Sequence, residues 1–294
     1  MRYQITYEST YRYSAPVVGN FNRLRMRPRS DGTQRCEHFD ISVTPNPDRL
    51  ATYEDLFGNE VTEVLVAAPV QRLRIQIDAT VATTEPMPPP DGSWADLQTD
   101  RYRRAAGAYR YHPYGYLHEN PDLTQLVEEV RGDTPAETLR NVTRVIPERF
   151  RYEAGVTDAH TTTPAFIALG AGVCQDFAHL ALALLRSHEV AARYVSGYFF
   201  TSPDGEDGTS AEVQTHAWIE ALLPVDGDSD PVWFGTDPTN AIIAGRDHVR
   251  IGHGRMYSDV SPIEGTFSGD AESTVDAHVS MRRVPTAIDR LAAE

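Results

Sequence analysis

A cysteine, a histidine and an aspartate occur in the order Cys174, His216, Asp237, the three side-chain types that nucleophilic thiol chemistry requires. The thiol must give its proton to an imidazole within hydrogen-bond reach, and that imidazole needs a third group to fix its tautomer and orientation. Cys174 follows the small-residue run Gly170-Ala171-Gly172-Val173 and directly precedes the apolar stretch Asp176 to Ser187. It is therefore expected at a helix N-terminus. There, unpaired N–H groups and the positive dipole end favour a thiolate, and small residues leave room for a substrate backbone. Alone, Cys174 reads equally well as a buried, inert thiol. His216, in Thr215-His216-Ala217-Trp218-Ile219-Glu220, and Asp237, in Trp233-Phe234-Gly235-Thr236-Asp237, tip the balance, because they sit on strand-like segments able to lie side by side against the helix end.

Attack on a carbonyl creates a negative oxygen that fixed donors must meet. The Cys174 backbone N–H is the first candidate, and Gln175, Tyr198 and Trp218 carry side chains suited to an oxyanion or substrate site. Other polar residues have simpler explanations. His179 points about 140° away from Cys174 on a helical wheel, which suits a core or supporting position. Asp176 complements the helix N-terminus and His188 its C-terminus. Cys36, with Glu37-His38 beside it, is expected to be structural. The ten histidines include no HExxH pair and the two cysteines no CxxC pair, so neither a metal nor another cofactor is expected.

The elements that must position these residues follow from periodicity. Tyr3 to Tyr13 alternates as a half-buried strand, and strand signals return at Phe39–Val43, Val61–Val66 and Leu73–Val81, separated by the turn formers Pro45-Asn46-Pro47-Asp48 and Phe57-Gly58-Asn59. Residues 1–82 are thus expected to form an antiparallel, sandwich-like β domain. Residues 83–92, with the run Thr83 to Gly92 (TTEPMPPPDG), form a stiff proline-rich connector, and 93–294 form the catalytic domain. Within it, Leu123–Val130 and Pro135–Glu148 show helical spacing. The second of these has Thr134 as N-cap, Pro135 at the first helical position and Glu137 three residues after the cap. After the cysteine helix come strand signals at Ala192–Thr201, Gln214–Leu223 and Val232–Thr236, joined by the loops PDGEDGTS and VDGDSDP. The fold class is α+β, with a central helix packed on an antiparallel sheet.

The stretch GAGVCQDFAHLALALLRSHEVAARYVSGYFF, then THAWIEALLP, WFGTDPTN and GRMYSDVSPIEG, resembles the catalytic core of bacterial transglutaminase-like proteins, and the first eighty or so residues resemble their N-terminal β domain. Ordered motifs with compatible spacing carry more weight than any one alone. The resemblance implies a transglutaminase- or papain-like core with Cys174 as nucleophile, His216 as general base and then acid, and Asp237 as the residue that orients His216. The departure is Glu212-Val213-Gln214-Thr215, where the family commonly has an acidic and small-residue run, which bears on substrate contacts at that rim.

The implied reaction is acyl transfer through a Cys174 thioester. Water as acceptor makes the protein a cysteine protease or amidase acting on a peptide or isopeptide bond, an outcome favoured because excluding water takes a dedicated enclosure. An amine acceptor makes it a transglutaminase acting on glutamine carboxamides, and a groove without turnover makes it a binding module. The expected partner is a peptide or protein substrate. With 42 acidic against 27 basic residues and a net charge of -15, neither a nucleic acid nor an anionic membrane is expected. The aromatic and arginine runs Arg101-Tyr102-Arg103-Arg104 and Tyr109-Arg110-Tyr111-His112 read instead as a solvated interdomain helix or loop. All of the basic residues are arginine. The N-terminus lacks the apolar run of a signal peptide or anchor, and the free thiols suit the cytoplasm. Oligomeric state is not legible.

Overall fold

The computed structural model describes residues 1–110, 120–201, 210–213, 215–227 and 229–285. Tyr111, His112, most of the PDGEDGTS loop, Gln214 and Asp228 lie outside these residues.

The N-terminal sheet is built around β1 (Arg2–Leu24), whose alternating buried and exposed residues give it one apolar face. Four more strands follow: β2 (Gln34–Thr44), β3 (Arg49–Glu54), β4 (Glu60–Val66) and β5 (Val70–Thr83). The first half of β1 pairs with β5, Tyr3 opposite Val81. Register shifts between Arg12 and Val17 and between Val18 and Phe21, with Gly19 at φ 60, then re-aim the strand. Its second half pairs with β4, Asn22 opposite Val64. One antiparallel sheet thereby curls into two layers, as expected for a sandwich-like unit. Its core includes Tyr3, Ile5, Leu73, Ile75 and Val81.

After the connector come α1 (Asp100–Ala106), α2 (Pro121–Val130), α3 (Pro135–Arg149), β6 (Arg151–Tyr152), α4 (Thr163–Leu169), β7 (Ala171–Gly172) and α5 (Cys174–Ser187). Thr134 caps α3, its hydroxyl accepting from the Glu137 amide at 3.1 Å. α5 is the central helix: Phe177, Leu180, Leu182, Leu184 and Leu185 are at most 1% exposed. Each such side chain contributes roughly 1.5–3 kcal/mol relative to exposure. Its face meets the second sheet, made of β8 (Ala192–Phe199), β10 (Thr215–Leu223), β11 (Val232–Asp237), β12 (Ile242–Ile243) and β13 (His248–Gly254), with β9 (Ser210–Val213) preceding β10. The strand order is β12-β11-β10-β8-β13, antiparallel throughout. The expected α+β architecture is present.

The division of the chain is more interleaved than the sequence suggests. β14 (Ile263–Ser268) and β15 (Ser273–Arg283), expected within the catalytic domain, pair instead with β1, and β9 extends the same sheet through β15. The cause is long-range register: Tyr3 faces Arg283 across the sheet, a pairing that local periodicity cannot announce. The two sheets are also stitched at β13. Arg250 donates to Asp31 Oδ1 at 2.5 Å and to Glu220 Oε1 at 2.9 Å, and Arg193 donates to Glu220 Oε2 at 2.6 Å. Gln34 exchanges hydrogen bonds with the Arg250 backbone, N–H to Oε1 and Nε2 to carbonyl, both at 2.8 Å.

Candidate active site

Cys174 opens α5, and the chain before it is held on two sides. β7 pairs in parallel with β6, the Glu153 amide donating to the Gly172 carbonyl at 2.8 Å. On the other side Asp176 Oδ2 accepts from the Val173 amide at 2.9 Å and from the Thr157 hydroxyl at 2.7 Å. Asp176 therefore ties down the backbone in front of the thiol as well as complementing the helix dipole, and its burial pushes its carboxyl above the usual range. A Cβ on Gly172 would lie 2.5 Å from Asp176 Oδ2 and 2.8 Å from the Phe166 ring, so the end of β7 requires glycine. Cys174 itself is half-buried and packs on the helical core.

His216 stands near the start of β10, opposite Gly197 of β8. Its ring lies 6.0 Å from Trp218, nearly parallel, and 5.6 Å from Phe199. Nε2–H donates to Asp237 Oδ2 at 2.7 Å, which leaves Nδ1 as the ring nitrogen open to Cys174, whose charge the imidazole feels. Burial disfavours the imidazolium, but the hydrogen bonds and charges of Asp237 and Cys174 outweigh it and raise His216 to about 9.

Asp237, at the end of β11, is fully buried. Its Oδ1 accepts from the amides of Thr239 at 2.9 Å and Asn240 at 3.2 Å, while Oδ2 accepts from His216, from Asn240 Nδ2 at 2.7 Å and from His248 Nε2 at 3.2 Å. Burial alone would raise this carboxyl; the donors hold it well below the usual carboxylate range. His216, Asp237 and His248 place one ligand atom each within 4.8 Å of one another, a spacing that a metal site also shows. The donor set does not suit a cation. Oδ2 is already shared by three hydrogen-bond donors, and one of them, the Asn240 amide, has no lone pair to offer a metal on that side.

The structure thus brings together Cys174, His216 and Asp237. The three further sequence candidates separate. Gln175 stays at the rim, half-buried, its amide donating to the Asp158 carbonyl at 3.4 Å. Trp218 is buried and supports the His216 ring; a Cβ on Gly197 would come within 2.5 Å of its indole, so glycine makes the space for it. Tyr198 is a correction. It is 1% exposed and packed in the core of the curled sheet with Tyr3 and Ile5, because β8 runs from beneath α5 to beneath the N-terminal strands. Tyr194, four residues earlier, belongs to the α5 core, and its phenol feels the charge of Cys174. Tyr152 on β6 also feels that charge and is 54% exposed. His179 supports from behind, accepting from the Tyr257 amide at 3.2 Å. Cys36 lies on β2, where burial pushes its thiol up. Tyr102 is buried, donating to the Leu222 carbonyl at 3.0 Å and accepting from the Ala191 amide at 2.9 Å, an interior role for one member of the arginine-aromatic runs.

Sequence reasoning missed Asn240 and His248. Asn240 follows Asp237 in the quoted segment WFGTDPTN and was available as a turn residue able to bond back to its neighbour. His248 gave no signal, since β13 reaches the site by joining the sheet beside β8, at the opposite edge from β11 and β12.

Comparison with known proteins agrees with this architecture. Residues 3–82 match the Bacterial transglutaminase-like N-terminal region, and residues 124–238 match the Transglutaminase-like superfamily. An uncharacterised protein of Mycobacterium tuberculosis (strain ATCC 25618 / H37Rv) is 33% identical over 99% of this chain and 95% of its own. One from Mycobacterium leprae (strain TN) is 29% identical over 96% and 99%. The crystal structure of a candidate cysteine protease from Cytophaga hutchinsonii shares the fold with a TM-score of 0.74 and 22% identity, covering 97% of this chain and 91% of that one. The two family models and the relative that is 33% identical over nearly the whole chain agree: the chain belongs to the bacterial transglutaminase-like family.

Proposed function

We propose that the protein is a thiol-dependent acyl-transfer enzyme that hydrolyses peptide or isopeptide bonds. The reading is carried by one observation: His216, paired with the Asp237 carboxylate at 2.7 Å, feels the charge of Cys174 at the head of a buried helix. The Cys174 thiolate attacks the carbonyl carbon, and the oxygen takes up the negative charge near the first amides of α5. As the carbon–nitrogen bond breaks, His216 gives its proton to the departing amine, leaving a thioester on Cys174. Water then attacks the thioester while His216 takes its proton, and the released thiolate restores the pair. Asp237 holds Nε2–H throughout, so that Nδ1 stays directed at sulfur and the imidazolium is stabilised. Water as acceptor is supported by Tyr152, which feels the Cys174 charge and is more than half exposed to solvent.

The test uses a casein-type substrate with a fluorescent amine beside a peptide-release assay. Peptide release without amine incorporation, abolished by Cys174→Ala, is the expected outcome. Amine incorporation without release would replace hydrolysis by amine transfer, and unchanged turnover in Cys174→Ala would overturn the thiol chemistry. Iodoacetamide should also label Cys174 faster than Cys36 near neutral pH, since burial pushes the Cys36 thiol up.

A further inference from the structure

His248 is buried, with 3% of its side chain exposed, and no step written above uses it. Each side of its ring is occupied. The Gly245 amide donates to Nδ1 at 3.3 Å, and the same turn is closed by the His248 amide on the Gly245 carbonyl at 3.0 Å. Nε2 faces Asp237 Oδ2 at 3.2 Å. The Phe199 ring stacks on one face at 4.3 Å, and Trp218 meets the ring edge-on at 5.1 Å. A backbone N–H has no lone pair to offer, so Nδ1 must be the acceptor. The remaining ring proton then sits on Nε2 and is directed at the carboxylate. Burial keeps the ring neutral, lowering His248 below its ordinary value despite Asp237.

We propose that His248 is a positioning residue: an Nε2–H donor that fixes Asp237 Oδ2 and shares its charge, extending Cys174, His216 and Asp237 to a four-member chain. This rests on the catalytic reading of those three residues. The carboxylate is held from three elements, by His216 on β10, by the Thr239–Asn240 turn after β11 and by His248 on β13. The charged or titratable groups around it are Cys174 on α5, His216, His248 and, next to His248, Asp247, which accepts from the Tyr3 hydroxyl. Phe199 and Trp218 supply the neutral walls. With the His248 donor gone, more of the Asp237 charge bears on His216, so the imidazolium should titrate at higher pH while the carboxylate loses one of its constraints.

The test compares His248→Gln, whose amide can place a donor near the position of Nε2, with His248→Leu, which cannot donate. In the wild-type protein, nitrogen NMR of labelled histidine should show His248 as the neutral Nε2–H tautomer across neutral pH. In His248→Leu the His216 titration should move to higher pH and kcat should fall by roughly tenfold or more, the scale of one lost hydrogen bond to a charged group. KM should change little, and His248→Gln should restore most of both. Thermal unfolding of each variant separates this from loss of fold. An Nδ1–H or protonated His248, or a folded His248→Leu whose His216 titrates unchanged, would overturn the proposal. The NMR arms need no substrate, so they stand even if Cys174→Ala retains turnover and the acyl-transfer reading falls.

Discussion

Five donors converge on the Asp237 carboxylate: two ring nitrogens, a side-chain amide and two backbone amides. A carboxamide in its place would turn an NH₂ group towards donors and leave His216 free to take the wrong tautomer. Asp237→Asn is accordingly expected to lower kcat on the order of 10⁴-fold with KM little changed, measured by peptide release once a substrate is in hand. The pH dependence follows from His216. Its folded-state value of about 9 lies above the ordinary 6.5. The stability that its imidazolium contributes is therefore present below 6.5 and lost as pH rises through about 9. Catalysis needs the same proton for the leaving amine, so kcat/KM should fall on the alkaline side through about pH 9. An alkaline limb near the ordinary histidine value would show that the Asp237 pairing is not made in solution. At this scale, the three candidates were legible from local signals: small residues before a helix for Cys174, a strand-like run for His216 and a strand end followed by Pro238 for Asp237. Their supports were not. His248 reaches Asp237 from a strand that local pattern cannot place in the sheet.

The second sheet shows how an element shapes the site it carries. His216 and Trp218 project from one face of β10, and Gly197 on the neighbouring strand leaves the opening into which the indole fits. Replacing Gly197 by alanine would put a Cβ 2.1 Å from the Val249 carbonyl oxygen and 2.5 Å from the indole. Gly197→Ala should therefore destabilise the fold by about 1–3 kcal/mol, the cost of overpacking, read from urea unfolding, and should lower turnover by displacing the ring that backs His216. Strand-like runs between loop-forming segments identified β8, β10 and β11 from sequence, and helical spacing with the capping residues identified α3. The placement of Tyr198 failed for a reason of the same scale. Tyr194 and Tyr198 share a parity on β8, yet one lies in the α5 core and the other in the core of the curled sheet. Periodicity gives the face of a strand but not what covers each part of it.

Over the whole molecule, the two sheets are joined by a buried charge cluster as well as by packing. Glu220 is 3% exposed, and burial would raise its carboxyl, but Arg193 and Arg250 pull it down to about 2. Because this value lies below the ordinary 4.5, the stability from Glu220 is present above 4.5 and lost as pH falls through about 2. Glu220→Gln leaves two guanidinium groups facing a neutral partner and should cost about 3–5 kcal/mol at neutral pH. It should also flatten the acid side of the stability profile, measured by denaturant unfolding between pH 2 and 7. The arginines could be counted in the sequence, but nothing local distinguishes Arg193 and Arg250 from those facing solvent. The same holds for the sheet itself, whose closing strands lie at opposite ends of the described chain.

That closure also sets a timetable for biosynthesis. A ribosome delivers β1 first, yet one long flank of its first half stays unpaired until β15 emerges, because Tyr3 to Tyr13 face Arg283 to Ser273. β9, which leads into the His216 strand, is anchored to that same late-arriving strand. Cys174 and His216 therefore leave the ribosome before the strand that covers that flank of β1 and holds β9.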